Sequence, residues 1–161
     1  MFFEDQKAAL LEMMRVLRPG GRLTVAVCDA IDHSPGYAVL AELLHRLFGA
    51  DVAQAFRAPF ASGERQQLMS HCTEAGLSHA RITRQDGPVR FGSIQALVAT
   101  ERACAWTLGG MLDDRQFDRL YEEAREAFQP FVNARGEVEF TMPALLIQAT
   151  KVRDDGDRNP R

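Results

Sequence analysis

No GxGxG or GxGxxG element occurs anywhere in the 161 residues. The sequence therefore offers no glycine-rich turn of the kind that lets backbone approach a nucleotide closely. Its two Gly-Gly pairs, Gly20-Gly21 and Gly109-Gly110, do not stand between a strand and a following helix. A basic excess is also missing: 19 Lys and Arg oppose 22 Asp and Glu, for a net charge of −3. Phosphate binding needs the opposite balance, which argues against nucleic acid and against an anionic membrane as partners. No apolar run approaches the roughly 18 residues of a membrane span. The opening MFFEDQKAAL has neither the basic region nor the long apolar region of a signal peptide. A soluble, cytoplasmic protein is the expectation. Cysteine is scarce, and Cys28, Cys72 and Cys104 form no CxxC and leave an odd count. That points to reduced thiols, not to a disulfide framework. Zinc-ligand spacing, a P-loop and a Ser-His-Asp arrangement are all lacking, as are internal repeats and interior linkers.

What is present is ordinary for one globular domain: 46% hydrophobic and 25% charged residues. A chain of this length buries roughly two thirds of its unfolded surface, enough for a real core. Residues 4–17 read as a helix, with Leu10, Met13, Met14 and Leu17 on one face, Glu4 and Asp5 in the first turn and Arg15 and Arg18 near the last. Pro19 ends it, and Gly20-Gly21 permits a tight reversal. Residues 22–28 read as a strand without charge on either face after Arg22, so both faces are expected to be covered.

Further helices are expected over residues 37–48, 64–75, 93–108 and 113–128. The second of these, residues 64–75, is opened by Ser62 as N-cap and closed by Gly76. The last carries Phe117, Leu120, Tyr121, Ala124 and Phe128 in one stripe, which reads as a buried face, with a partner-helix surface as the alternative. Strands are expected over residues 78–85, 137–140 and 144–152, with Asp86-Gly87-Pro88 turning the chain toward VRF. Residues 1–152 form the folded part, and residues 153–161 form a polar tail without a folding rationale.

Strand-helix alternation around RVLRPGGRLTVAV resembles the class I S-adenosylmethionine-dependent methyltransferases, in their small-molecule type 11 branch. Residues 1–27 resemble that family's segment from just after the fourth strand through the fifth. RAPFASGERQQLMSHCTEAGLSHARI resembles its following helix and sixth strand, and VEFTMPALLIQATK its closing antiparallel strand. The implied fold is α/β: the C-terminal strands of a Rossmann-like methyltransferase sheet, the last one antiparallel, with covering helices. The family's cofactor half, with a glycine-rich turn and a ribose-binding acid, comes earlier in its sequence. The chain therefore resembles a C-terminal half, with Met1 either an internal methionine or the start of a truncated form.

The resemblance also implies a site. Ligands of open α/β sheets lie beyond the C-terminal ends of the parallel strands. Phe2 and Phe3 would then line the S-adenosylmethionine pocket, and Cys28, Asp29, Tyr37 and Phe60 the pocket of a small-molecule acceptor. Core packing is the competing reading of the aromatic pair. Methyl transfer depends on in-line geometry, so no catalytic base is required and none is assigned. Of His33, His45, His71 and His79, only His33 follows a strand end; His71 and Cys72 diverge by about 100° on a helix and do not chelate together. Two readings follow: a methyltransferase lacking its cofactor half, or a non-catalytic half-domain that self-associates or pairs with an N-terminal half through an open sheet edge.

Overall fold

A computed structural model describes residue 3, residues 5–77 and residues 79–152. The expectations placed on Phe2, Glu4, Ser78 and the tail 153–161 lie outside the described residues.

Helix α1 (Gln6–Val16) starts two residues into the expected segment because Asp5 caps it, its carboxylate accepting from the Ala8 N–H at 2.8 Å. The helix stops at the Pro-Gly-Gly element, where Gly20 takes a φ of 75°. Its free C-terminal carbonyls are met from far along the chain: the Lys151 ammonium donates to Arg15 O at 2.9 Å and Leu17 O at 2.8 Å. Strand β1 (Arg22–Cys28) follows.

Beyond it come α2 (Pro35–Phe48), α3 (Ala50–Arg57), α4 (Arg65–Glu74), β2 (Arg81–Gln85), β3 (Pro88–Phe91), α5 (Ile94–Ala103), α6 (Asp114–Ala127), β4 (Val138–Thr141) and β5 (Ala144–Thr150). Among the described residues no helix is long and apolar enough to cross a membrane.

The architecture is mixed α/β with a small antiparallel sheet. Strand β5 lies between β1 and β2 and runs antiparallel to both. Val25 and Ile82 flank Ile147 across this sheet, giving one apolar row. That row faces α1 and α4, whose Leu10, Leu68 and Cys72 close a core with Leu145 and Ile147. A second, larger cluster joins α2, α3, α5 and α6 to Val138 and Phe140 of the β3–β4 ribbon. Each fully buried side chain of this size contributes about 1.5–3 kcal/mol. The aromatic stripe of α6 belongs here, with Phe117, Leu120, Ala124 and Phe128 buried. Its start carries a full capping box between Asp113 and Gln116.

Several expectations need correction. Strand β1 is covered on one face only: Leu23, Val25 and Val27 pack into the first core, whereas Thr24 and Ala26 are exposed. Uncharged residues on a strand signal tolerance of burial, and small ones such as Thr and Ala tolerate water equally. The helical cluster reaches that second face only at its C-terminal end, at Cys28. Ser62 does not cap α4, which starts after Glu64; its hydroxyl accepts from the Gln6 side chain at 2.7 Å instead. Gly76 does close that helix, at a φ of 74°.

The strand expected from residue 78 begins at Arg81, and the helix expected to run to 108 ends at Ala103. The VRF segment pairs with β4, forming a ribbon apart from the main sheet. Helix α3 was not anticipated, because its eight residues carry only Val52, Ala53 and Phe56 as buried positions.

Candidate functional site

The site is built where β1 ends. Past Cys28 the chain turns at Asp29, whose carboxylate accepts from the Ala30 N–H at 2.8 Å and lies 3.0 Å from His33 Nδ1 and 3.5 Å from Arg84 Nε. Gly63 presses against this turn so closely that a Cβ there would overlap the Asp29–Ala30 backbone. Asp29 is thereby a buried, fully engaged corner of the fold. Helix α2 starts just beyond it with Pro35 in the first turn.

The first turn of α2 presents Tyr37. Its ring meets Phe140 at 5.0 Å between centroids, Phe60 at 5.7 Å and Phe56 at 5.8 Å, in edge-on or tilted arrangements. Phe56 lies in the last turn of α3 and Phe60 follows in a single 3-10 turn, so both come from one short stretch. Opposite them stands α5. Its core-facing positions are Leu97, Val98 and then Glu101, at the i+3 and i+4 spacing of one helical face. Glu101 is thus a carboxylate in an apolar stripe, only 8% exposed.

These elements form a pocket of about 190 Å³ lined by Cys28, Tyr37, Phe56, Phe60 and Glu101, together with Cys104, Thr107 and Met142. Burial pushes the Glu101 carboxyl up to about 7. Its place in the last turn of α5 disfavours a negative charge further. No hydrogen bond or ion pair to its carboxylate occurs among the described residues. Burial, then the neighbouring Glu101, raises Tyr37 to about 12, and burial raises the Cys28 thiol. At neutral pH the pocket therefore holds a phenol, a thiol and a carboxyl group close to half-ionised.

Two larger hollows, of about 540 and 620 Å³, lie elsewhere. The first is an open surface groove carrying the Arg57–Glu42 ion pair. The second runs along the end of the sheet past Thr24, Gln148 and Thr150. Neither is lined by a buried carboxylate.

Of the residues singled out from sequence, Cys28, Tyr37 and Phe60 line one pocket. Asp29 follows Cys28 without lining that pocket, and Phe3 is 58% exposed and is not among the lining residues. His33 is occupied by Asp29. Phe56, Cys104, Thr107 and above all Glu101 were not anticipated. A signal for Glu101 was available: in IQALVATERA it continues the face begun by Leu97 and Val98. Among the described residues no cluster of three His, Cys, Asp or Glu side chains is placed to hold a metal ion. No family model matches this chain, and no curated protein matches it.

Proposed function

We propose that the chain is the C-terminal part of a small-molecule S-adenosylmethionine-dependent methyltransferase, and that the pocket beyond β1 holds the methyl acceptor. The observation that carries this reading is the gathering of Cys28, Tyr37 and Phe60 at the C-terminal end of β1, where α/β sheets hold their ligands. The Pro-Gly-Gly stop before β1 and the antiparallel setting of β5 also support it.

The described residues do not build a site for the cofactor itself. Phe3 is exposed, and the sequence contains no glycine-rich strand-turn-helix element. In this reading an N-terminal half supplies both, and this chain supplies acceptor positioning. Holding the acceptor in line is the larger part of such catalysis. Tyr37, protonated at neutral pH, donates a hydrogen bond to an acceptor oxygen or nitrogen. Glu101, near half-ionisation, takes up the acceptor's proton.

A second reading rests on a different observation. The outer edge of β1 pairs with nothing among the described residues, and Thr24 and Ala26 lie exposed beside it. A non-catalytic half-domain would use that edge for pairing.

Co-expression with the N-terminal half of a type 11 methyltransferase separates the two. Co-purification with restored S-adenosylmethionine binding and methyl transfer supports the enzyme. Co-purification without cofactor affinity favours the interaction module, and failure to co-purify overturns both. The isolated chain should not bind S-adenosylmethionine at micromolar strength, since that is about 8 kcal/mol from residues that form no cofactor site.

A further inference from the structure

We propose that the pocket between α2, α3 and α5 selects a small organic amine, an apolar ring or short chain bearing an ammonium group, and that Glu101 is the residue that selects it. Calling this amine the acceptor rests on the methyltransferase reading; its binding does not.

Charge complementarity carries the argument. Among the described residues Glu101 is the one carboxylate in the lining, and no Lys, Arg or His side chain lines the pocket with it. The nearest basic side chain in sequence, Arg102, is turned away, paired with Asp114 and stacked 5.6 Å from the Phe117 ring. Among the described residues, the groups that line the pocket with Glu101 are Tyr37 on α2, Cys28 on β1 and the Cys104 thiol, all neutral or acidic, and the cationic influence on this lining is the chain's own N-terminal ammonium, which acts on Cys28. The Glu101 carboxylate, unpartnered among the described residues, lines the pocket, and a bound cation would pair with it there. An anionic ligand would be repelled by it.

The walls fit the same ligand. Tyr37, Phe56 and Phe60 surround the pocket with aromatic rings, which attract a cation held within about 6 Å of a ring face. Size limits the apolar body. A cavity of about 150 Å³ holds one benzene ring, so about 190 Å³ takes one ring with a short aminoalkyl arm.

Protonation gives the interaction a pH signature. The ammonium pairs with ionised Glu101 only, and burial holds that carboxyl near 7. Apparent affinity then scales with the ionised fraction and rises about tenfold between about pH 6 and about pH 8.

The test is a titration of the whole chain with benzylamine and with its neutral isostere benzyl alcohol, followed by amide chemical shifts and by calorimetry. Benzylamine should perturb residues around Tyr37, Phe60 and Glu101, bind at least about tenfold more tightly than benzyl alcohol at about pH 8, and lose that advantage as the pH falls. Benzyl alcohol should show no pH dependence. Glu101→Gln should erase both the preference and the pH dependence while retaining the wild-type circular dichroism. Phe60→Leu should weaken both ligands and keep the preference.

Equal binding of the two ligands, no binding of benzylamine, or a preference that survives Glu101→Gln would overturn the proposal. The methyltransferase reading fails separately. Amine binding without methyl transfer in the reconstituted pair would sink the enzyme and leave the ligand class standing. Transfer to a non-amine acceptor would do the reverse.

Discussion

Tyr37 and Phe140 meet edge to face, with ring centroids 5.0 Å apart and planes at 80°, and this contact seats the first turn of α2 on strand β4. The approach is close because Gly36 lies against the same Phe140 ring. A Cβ built on Gly36 would overlap three of its carbons. The ring has little room to retreat, since Phe91 and Phe131 also pack on it at 6.4 and 5.8 Å.

Gly36→Ala should therefore destabilise the fold by about 1–3 kcal/mol, the usual cost of overpacking a tight contact. Urea denaturation measures it. A neutral effect would mean that α2 slides along β4 without loss.

Glu101 makes stability depend on pH in a direction opposite to most carboxylates. Its folded value, about 7, lies above the ordinary 4.5. The folded state holds a proton that the unfolded chain has already released, so the contribution is whole below about 4.5 and is lost as pH rises through about 7. The amount is on the order of 3 kcal/mol. Glu101→Gln should flatten this slope, gaining on the wild type between about pH 5 and about pH 8. Paired denaturation curves at the two ends check it, and an unchanged slope in the variant would place the effect elsewhere.

The two faces of β1 should respond differently to charge. Val25 packs into the α1–α4 core opposite Ile147, so Val25→Asp should cost about 3 kcal/mol or more and abolish pairing with any N-terminal half. Ala26→Asp, on the exposed face, should leave the isolated chain within about 0.5 kcal/mol of wild type. Thermal melts of the two variants compare them directly.

The edge of β1 that is unpaired among the described residues should make the chain self-associate in a concentration-dependent way. Ala26→Lys should suppress this, because an edge lysine discourages strand addition. Sedimentation velocity over a wide concentration range reads the outcome, and a wild type that stays monomeric throughout would show that the edge is protected.

How far the sequence reached depended on the distance over which each signal acts. The α1 stop, the strand after it, the Gly76 helix end and the buried stripe of α6 were all legible. Proline geometry, glycine at positive φ and helical periodicity act within about four residues. Cys28, Tyr37 and Phe60, which the family resemblance named together with Asp29 from a strand end and the segments beyond it, line one pocket, whereas Asp29 does not.

Other features were settled only by residues remote in sequence. Thr24 and Ala26 carry no mark of exposure; they are exposed because the helical cluster reaches only as far as Cys28. Ser62 has the chemistry of a helix cap, but Gln6, more than fifty residues away, takes its hydroxyl. The carbonyls at the end of α1 wait for Lys151 at the other end of the chain. Glu101 shows the division most clearly. Local spacing put it on the apolar face of α5. Only the packing of α2, α3 and β1 around that face turned a buried carboxylate into one wall of a pocket.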